Sequence, residues 1–189
     1  MPGRLAILED QNGTPFIHYN LGVRGQTIRE ISSRAVQECS ARLMSKDDFI
    51  VFATGSNDFA ITETGIPRTP QRRAMKQFRE LIITLKEIAP LLVFGPTPVY
   101  EEKLPFFSAL TNMSFDFKND ILMDGTKNYK SICAEEGVSF IDMHAALSNR
   151  EVFLEGLAKN DGLHSTGKGY QAMAATIMNS QEWKTLLHS

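Results

Sequence analysis

Cysteine is scarce: the 189 residues hold 2, Cys39 and Cys133, at no spacing that fits a metal site or a redox pair. Two lone thiols suit a reducing compartment. Charge of one sign is equally lacking. Lys and Arg number 20 against 22 Asp and Glu, a formal net charge of −2, and the basic residues are dispersed. That excludes an electrostatic footprint for nucleic acid or an acidic membrane. The densest basic stretch, residues 68–79, reads as the solvated face of a helix, the commoner meaning of such a run, with phosphate binding as the lesser alternative. No apolar run approaches the roughly 20 residues that span a bilayer. The start, Met1-Pro2-Gly3-Arg4-Leu5, lacks the pattern of a signal peptide. The expectation is a cytoplasmic protein, unless residues ahead of Met1 carry a signal. No glycine-rich phosphate loop follows any apolar run, which argues against a nucleotide-binding protein.

What is present is an ordinary globular composition, 42% hydrophobic and 22% charged, enough for one domain over residues 1–189. Strand-like runs alternate with helical patterns. Residues 16–21 (FIHYNL) read as a short strand. Residues 27–43 have helical spacing, with Ile28, Ile31, Ala35, Cys39 and Leu43 on one face and a Thr27/Glu30 capping box at the start. Residues 49–53 (FIVFA) and 91–95 (LLVFG) are continuous apolar runs of the kind buried on both faces of a parallel sheet. Between them a helix opens at Pro70 and closes at Pro90. Residues 119–136 read as a helix weakened by Gly125, 138–141 as a strand, and 145–158 and 166–178 as helices. This alternation specifies a three-layer α/β/α domain with a parallel, flavodoxin-like sheet. In such sheets the site lies beyond the carboxyl ends of the strands.

Three segments stand at such ends. Asp161 precedes His164 by three residues in a glycine-containing loop. There a carboxylate can fix the imidazole tautomer and leave the other nitrogen as a general base. The simpler alternative is a helix start capped by Ser165, with Asp161 in an Asx turn. Asn57, in Gly55-Ser56-Asn57-Asp58, can donate its amide to a developing oxyanion, or can serve the turn alone. Gly25 can offer its backbone N–H to the same cleft, or be a plain strand-to-helix turn. Together they supply a base with its orienting carboxylate and two oxyanion donors.

These segments resemble the blocks of the GDSL/SGNH hydrolases, a family of esterases, lipases, acyl-thioesterases and carbohydrate acetylesterases. Residues 19–27 (YNLGVRGQT) are similar to its second block, Gly55-Ser56-Asn57-Asp58 to its G-x-N-D block, and Asp161 with His164 to its D-x-x-H block. The resemblance implies hydrolysis of a small-molecule ester by a Ser-His-Asp mechanism without a cofactor. Gly25 and Asn57 then hold the oxyanion. It covers nearly the whole chain, with one departure: no G-D-S block is present, and Glu9-Asp10-Gln11-Asn12-Gly13-Thr14 holds no serine. The expectation is a domain lacking its first strand, with residues 4–10 as the end of the family's first helix and Asn12-Gly13 as a turn. The nucleophilic serine would lie upstream of Met1, and the chain alone would be poorly stable and inactive. The alternative is a binding protein for acylated sugar or lipid that has lost its nucleophile.

Other residues are weaker candidates. Ser56 fits a turn better than an activated nucleophile. His18 reads as a strand residue, His144 as a helix-start residue near the cleft rim, and His188 as part of the tail. Asp58, Asp161 and His164 have no metal-ligand spacing. Phe106, Phe107, Met113, Phe115 and Phe117 can line an acyl pocket, but apolar clusters more often pack a core.

Overall fold

The apolar runs at 49–53, 91–95 and 138–141 become the strands of one parallel sheet. The computed structural model describes residues 2–109 and 111–187; His188 lies outside them. The elements in chain order are α1 (Pro2–Gln11), α2 (Ile28–Ser32), α3 (Ala35–Ser40), β1 (Ile50–Ala53), α4 (Ser56–Phe59), β2 (Ile61–Thr62), α5 (Gln71–Ile88) and β3 (Leu91–Phe94). Then follow β4 (Phe106–Ser108), β5 (Met113–Asp116), α6 (Asn119–Glu135), β6 (Ser139–Ile141), α7 (Met143–Leu147), α8 (Glu151–Lys159), α9 (Gly167–Met178) and α10 (Gln181–Leu187).

The main sheet has the order β1-β3-β6. Ile50 pairs with Leu91 and Ala53 with Phe94, both strands running parallel, and Phe94 pairs with Ile141 on the other side. The crossovers are α5 and α6, the only economical way to join neighbouring parallel strands. Side chains alternate across the pleat. Ile50, Phe52, Leu91 and Val93 join a core with α2, α5 and α6, in which Phe78 stacks on Tyr129 at 3.9 Å. Leu92, Phe94 and Ile141 point the other way, into a core with Leu5 of α1, Phe153 of α8, Ile177 of α9 and Trp183 of α10. Helices therefore cover both faces, and the domain is three-layered.

Four local readings change. Residues 16–21 run without sheet pairing, and Ile17, His18 and Tyr19 are exposed. Alternating apolar residues make a strand only where a neighbouring strand completes the hydrogen bonds; only Phe16 turns inward, edge-on to Phe49 and Trp183. His18 is thus not a strand residue. The helix expected over 27–43 breaks at Ser33 and Arg34 into α2 and α3. Ser32 and Ser33 hydroxyls bond the carbonyls of Ile28 and Glu30, the local competition that weakens serine in helices. The helix expected over 145–158 is likewise α7 and α8, with Ser148 Oγ donating to the His144 carbonyl at 2.6 Å where α7 ends. Gly125 does not interrupt α6, and its weak helix propensity is offset by packing. A Cβ there would lie 2.2 Å from the Phe59 ring, so the glycine admits an aromatic between elements. The first helix and its Asn12-Gly13 turn are as expected.

A second sheet, antiparallel with order β2-β5-β4, projects beside the first. Periodicity gives no hint of β2, which is two residues long. Here Phe106 pairs with Phe115. Phe115 and Phe117 are buried in the core, whereas Phe107 and Met113 are exposed and Phe106 is half-buried.

Candidate active site

The loop between α8 and α9 folds around one carboxylate. Asp161 Oδ1 accepts the backbone N–H groups of Leu163 and His164, at 3.0 and 2.7 Å. Its Oδ2 lies 2.8 Å from His164 Nδ1. Partial burial raises the Asp161 carboxyl, but the hydrogen bonds from His164 and Leu163 outweigh it and hold the group below the usual range. An ionised acceptor at Nδ1 places the neutral ring's proton there and leaves Nε2 as the basic nitrogen. Among the described residues no group hydrogen-bonds Nε2, and the His164 side chain is 42% exposed.

The loop is clamped from outside. Gly162 adopts φ +82°, and a Cβ there would meet the Tyr100 carbonyl at 2.8 Å, so only glycine fits. The Gly162 carbonyl accepts from Tyr100 N–H at 2.8 Å, tying the loop to the chain beyond β3. Ser165 is not the helix cap; Thr166 occupies that position. Ser165 is buried and donates to the Phe153 carbonyl at 2.9 Å. Gly156 and Gly169 make room for it, because a Cβ on either would approach Ser165 Oγ to about 2 Å.

The second half of the site hangs on Asp58. Its carboxylate is fully buried and receives the Ile28 N–H at 3.1 and 3.0 Å. This bond pins the start of α2, and with it the Gly25 turn, to the segment that follows β1. Burial drives the Asp58 carboxyl up, against hydrogen bonds from Thr69 and Ile28 and the charge of Arg68. Beside it, Asn57 Nδ2 donates to the Gln26 carbonyl at 3.1 Å. An amide nitrogen carries two hydrogens, so one sets the orientation and the other is left for a ligand. Gly25 adopts φ +77°. Arg34 braces the same turn, its Nη1 on the Leu21 carbonyl at 2.9 Å and its Nε on Gln26 Oε1 at 2.8 Å.

The structure therefore brings Asp161 to His164 and Asn57 to the Gly25 turn. Among the described residues no hydrogen bond joins the two pairs. A wall built on the small sheet does: the Phe106 ring stands edge-on to His164 at 5.6 Å, Phe106 and Phe115 are backbone partners across β4 and β5, and the Arg68 guanidinium covers Phe115 at 4.8 Å. Arg68 Nη1 then reaches Asn57 Oδ1 at 3.4 Å. Phe106, which the sequence pattern favours as core, and Arg68, which it places on a solvated helix face, both border the candidate site. Arg68 stands three residues ahead of α5, so it does not belong to the solvated helix face.

The remaining candidates fall elsewhere. Ser56 opens α4 and makes no hydrogen bond to His164. His144 is buried between Asn119 Oδ1 and Ser148 Oγ, at 3.0 and 3.2 Å, a packing role. Burial lifts the Cys133 thiol to about 12, which leaves it inert. Among the described residues no three His, Cys, Asp or Glu side chains converge as a metal site, and no helix is long and apolar enough to cross a membrane.

Comparison with known proteins places this geometry. None of the curated proteins matches the chain. Among solved structures, the fold is similar to that of a Parabacteroides merdae ATCC 43184 protein described as a GDSL-like lipase (TM-score 0.66, 19% identity, 96% of this chain and 78% of that one). It is also similar to Axe2, an acetylxylan esterase from Geobacillus stearothermophilus (0.61, 18%, 84% and 69%). A third is a lipase/acylhydrolase from Enterococcus faecalis (0.61, 20%, 85% and 72%). Identities this low show the fold alone. The family does not rest on them: the profile of the GDSL-like lipases and acylhydrolases matches residues 2–172, and the chain belongs to that family.

Proposed function

We propose that the protein hydrolyses carboxylic esters by acyl transfer. The observation that carries this is the Asp161–His164 pair, 2.8 Å apart at Nδ1, with no partner on Nε2 among the described residues and the His164 side chain partly exposed. A serine of the family's G-D-S block, which residues 1–189 do not hold, attacks the ester carbonyl while His164 Nε2 takes its proton. The tetrahedral oxyanion is held by the Gly25 N–H and the second hydrogen of Asn57 Nδ2. Collapse expels the alcohol, which receives the proton from His164. Water, deprotonated by the same nitrogen, then frees the acid and restores the serine. Asp161 orients the ring and stabilises the imidazolium in both halves. The membership in an acylhydrolase family and the esterase neighbours support this reading.

The test is turnover of p-nitrophenyl acetate by the full-length protein. His164→Ala should lower kcat by about 10³-fold or more, as loss of a general base from such a unit does. Turnover that survives the substitution sinks the assignment.

A further inference from the structure

A groove of about 580 Å³ opens on the oxyanion side of the site, between the start of α2 and the segment leading into α5. That volume suits a small molecule. Its lining includes Arg29, Arg68 and Arg73, with Thr27, Ser33 and a single carboxylate, Glu30. The cations are not spent on the protein. Arg29 and Arg73 make no side-chain hydrogen bond or salt bridge among the described residues. Arg68 is half-buried, yet of its five N–H donors only one finds a partner, the 3.4 Å contact with Asn57. Glu30 offsets only part of their charge: Arg68 and Arg29 both act on its carboxylate, whose Oε2 also accepts the Thr27 N–H at 2.7 Å and Oγ1 at 3.0 Å. Asp58, buried and bonded to the Ile28 N–H, also feels the charge of Arg68. Three guanidinium groups against the two carboxylates of Glu30 and Asp58 leave the concavity net positive, and guanidinium forks match oxyanions. Arg68 also touches Asn57 and covers Phe115, so the groove is continuous with the wall that reaches His164.

We propose that this groove binds an oxyanionic group of the substrate, so that the preferred ester carries a negative charge on the part lying over Asn57. The proposal rests on the hydrolase reading above. Arg68 holds the anion nearest the reacting carbonyl, and Arg29 and Arg73 close on it from the rim.

The test has two arms on the full-length protein. In the first, inorganic phosphate and acetate are titrated separately by calorimetry at low ionic strength. Saturable binding of either is expected, the tighter one naming the oxyanion, and the double variant Arg29→Ala/Arg73→Ala should weaken it about tenfold or more. Both residues are exposed, so the fold tolerates the change. In the second arm, the KM for p-nitrophenyl hydrogen succinate divided by that for p-nitrophenyl acetate should rise about tenfold in the double variant. Absence of saturable binding, or binding and a KM ratio unchanged by the substitutions, overturns the proposal and leaves the hydrolase reading intact. Arginine-dependent binding in a protein that hydrolyses neither ester overturns the hydrolase reading and with it the substrate assignment.

Discussion

Asp58 bears a cost that its position explains. A carboxylate without solvent is unfavourable, yet it satisfies the Ile28 N–H with both oxygens and so fixes the Gly25 turn against Asn57. Its raised pKa means that the unfolded chain loses this proton at lower pH than the folded one. Stability therefore falls as pH rises from the ordinary aspartate range through the elevated folded value. Asp58→Asn should remove that slope, read from urea midpoints across pH; an unaltered slope refutes the buried titration. Asp58→Ala orphans a buried N–H and should cost about 1–3 kcal/mol. Asp161 has the opposite sign. Its lowered pKa makes its contribution fully present above the usual aspartate range, and lost as pH falls through the depressed value. Asp161→Asn should cut kcat by about 10²–10⁴-fold, because an amide cannot hold the imidazolium; an unchanged kcat would show that His164 needs no orienter. The pairing of Asp161 with His164 and the place of Asn57 in the candidate site were legible in the sequence, because each lies in a turn that follows a strand or precedes a helix. The place of Arg68 was not, and Phe106 could not be told from core, because a two-residue strand and an antiparallel pairing place them.

Between elements, fit depends on absent side chains. Gly125 lies inside α6, where alanine would add up to about 1 kcal/mol of helix propensity. The Phe59 ring occupies the Cβ position to within 2.2 Å, and overpacking of that kind costs about 1–3 kcal/mol. Gly125→Ala should therefore destabilise, and Phe59→Leu in the same chain should restore part of the loss. Stabilisation by Gly125→Ala alone would contradict the packing. Sequence spacing placed α5, α6 and α9 well, since each carries one apolar stripe and clear terminal signals. It misread the α2–α3 and α7–α8 stretches, since an apolar repeat continues through a break that serine hydroxyls create.

Across the whole molecule, the sheet separates two cores. Ile82 lies in the one with α5 and α6, Ile177 in the one with α8 to α10, and both are fully buried. Ile82→Val and Ile177→Val should each cost about 0.5–1.5 kcal/mol, and their sum should match the double variant within about 0.5 kcal/mol in urea unfolding. A larger discrepancy would mean that strain passes through the strands from layer to layer. The layering itself was legible, because β1 and β3 are apolar at every position and need cover on both sides. The small antiparallel sheet was not. Asp161 and His164 occupy one loop, three residues apart, and that loop joins two helices rather than two strands. In the proposed mechanism they form a cassette: the hydrogen bond that sets the His164 tautomer is made within the loop itself and needs no residue of another element.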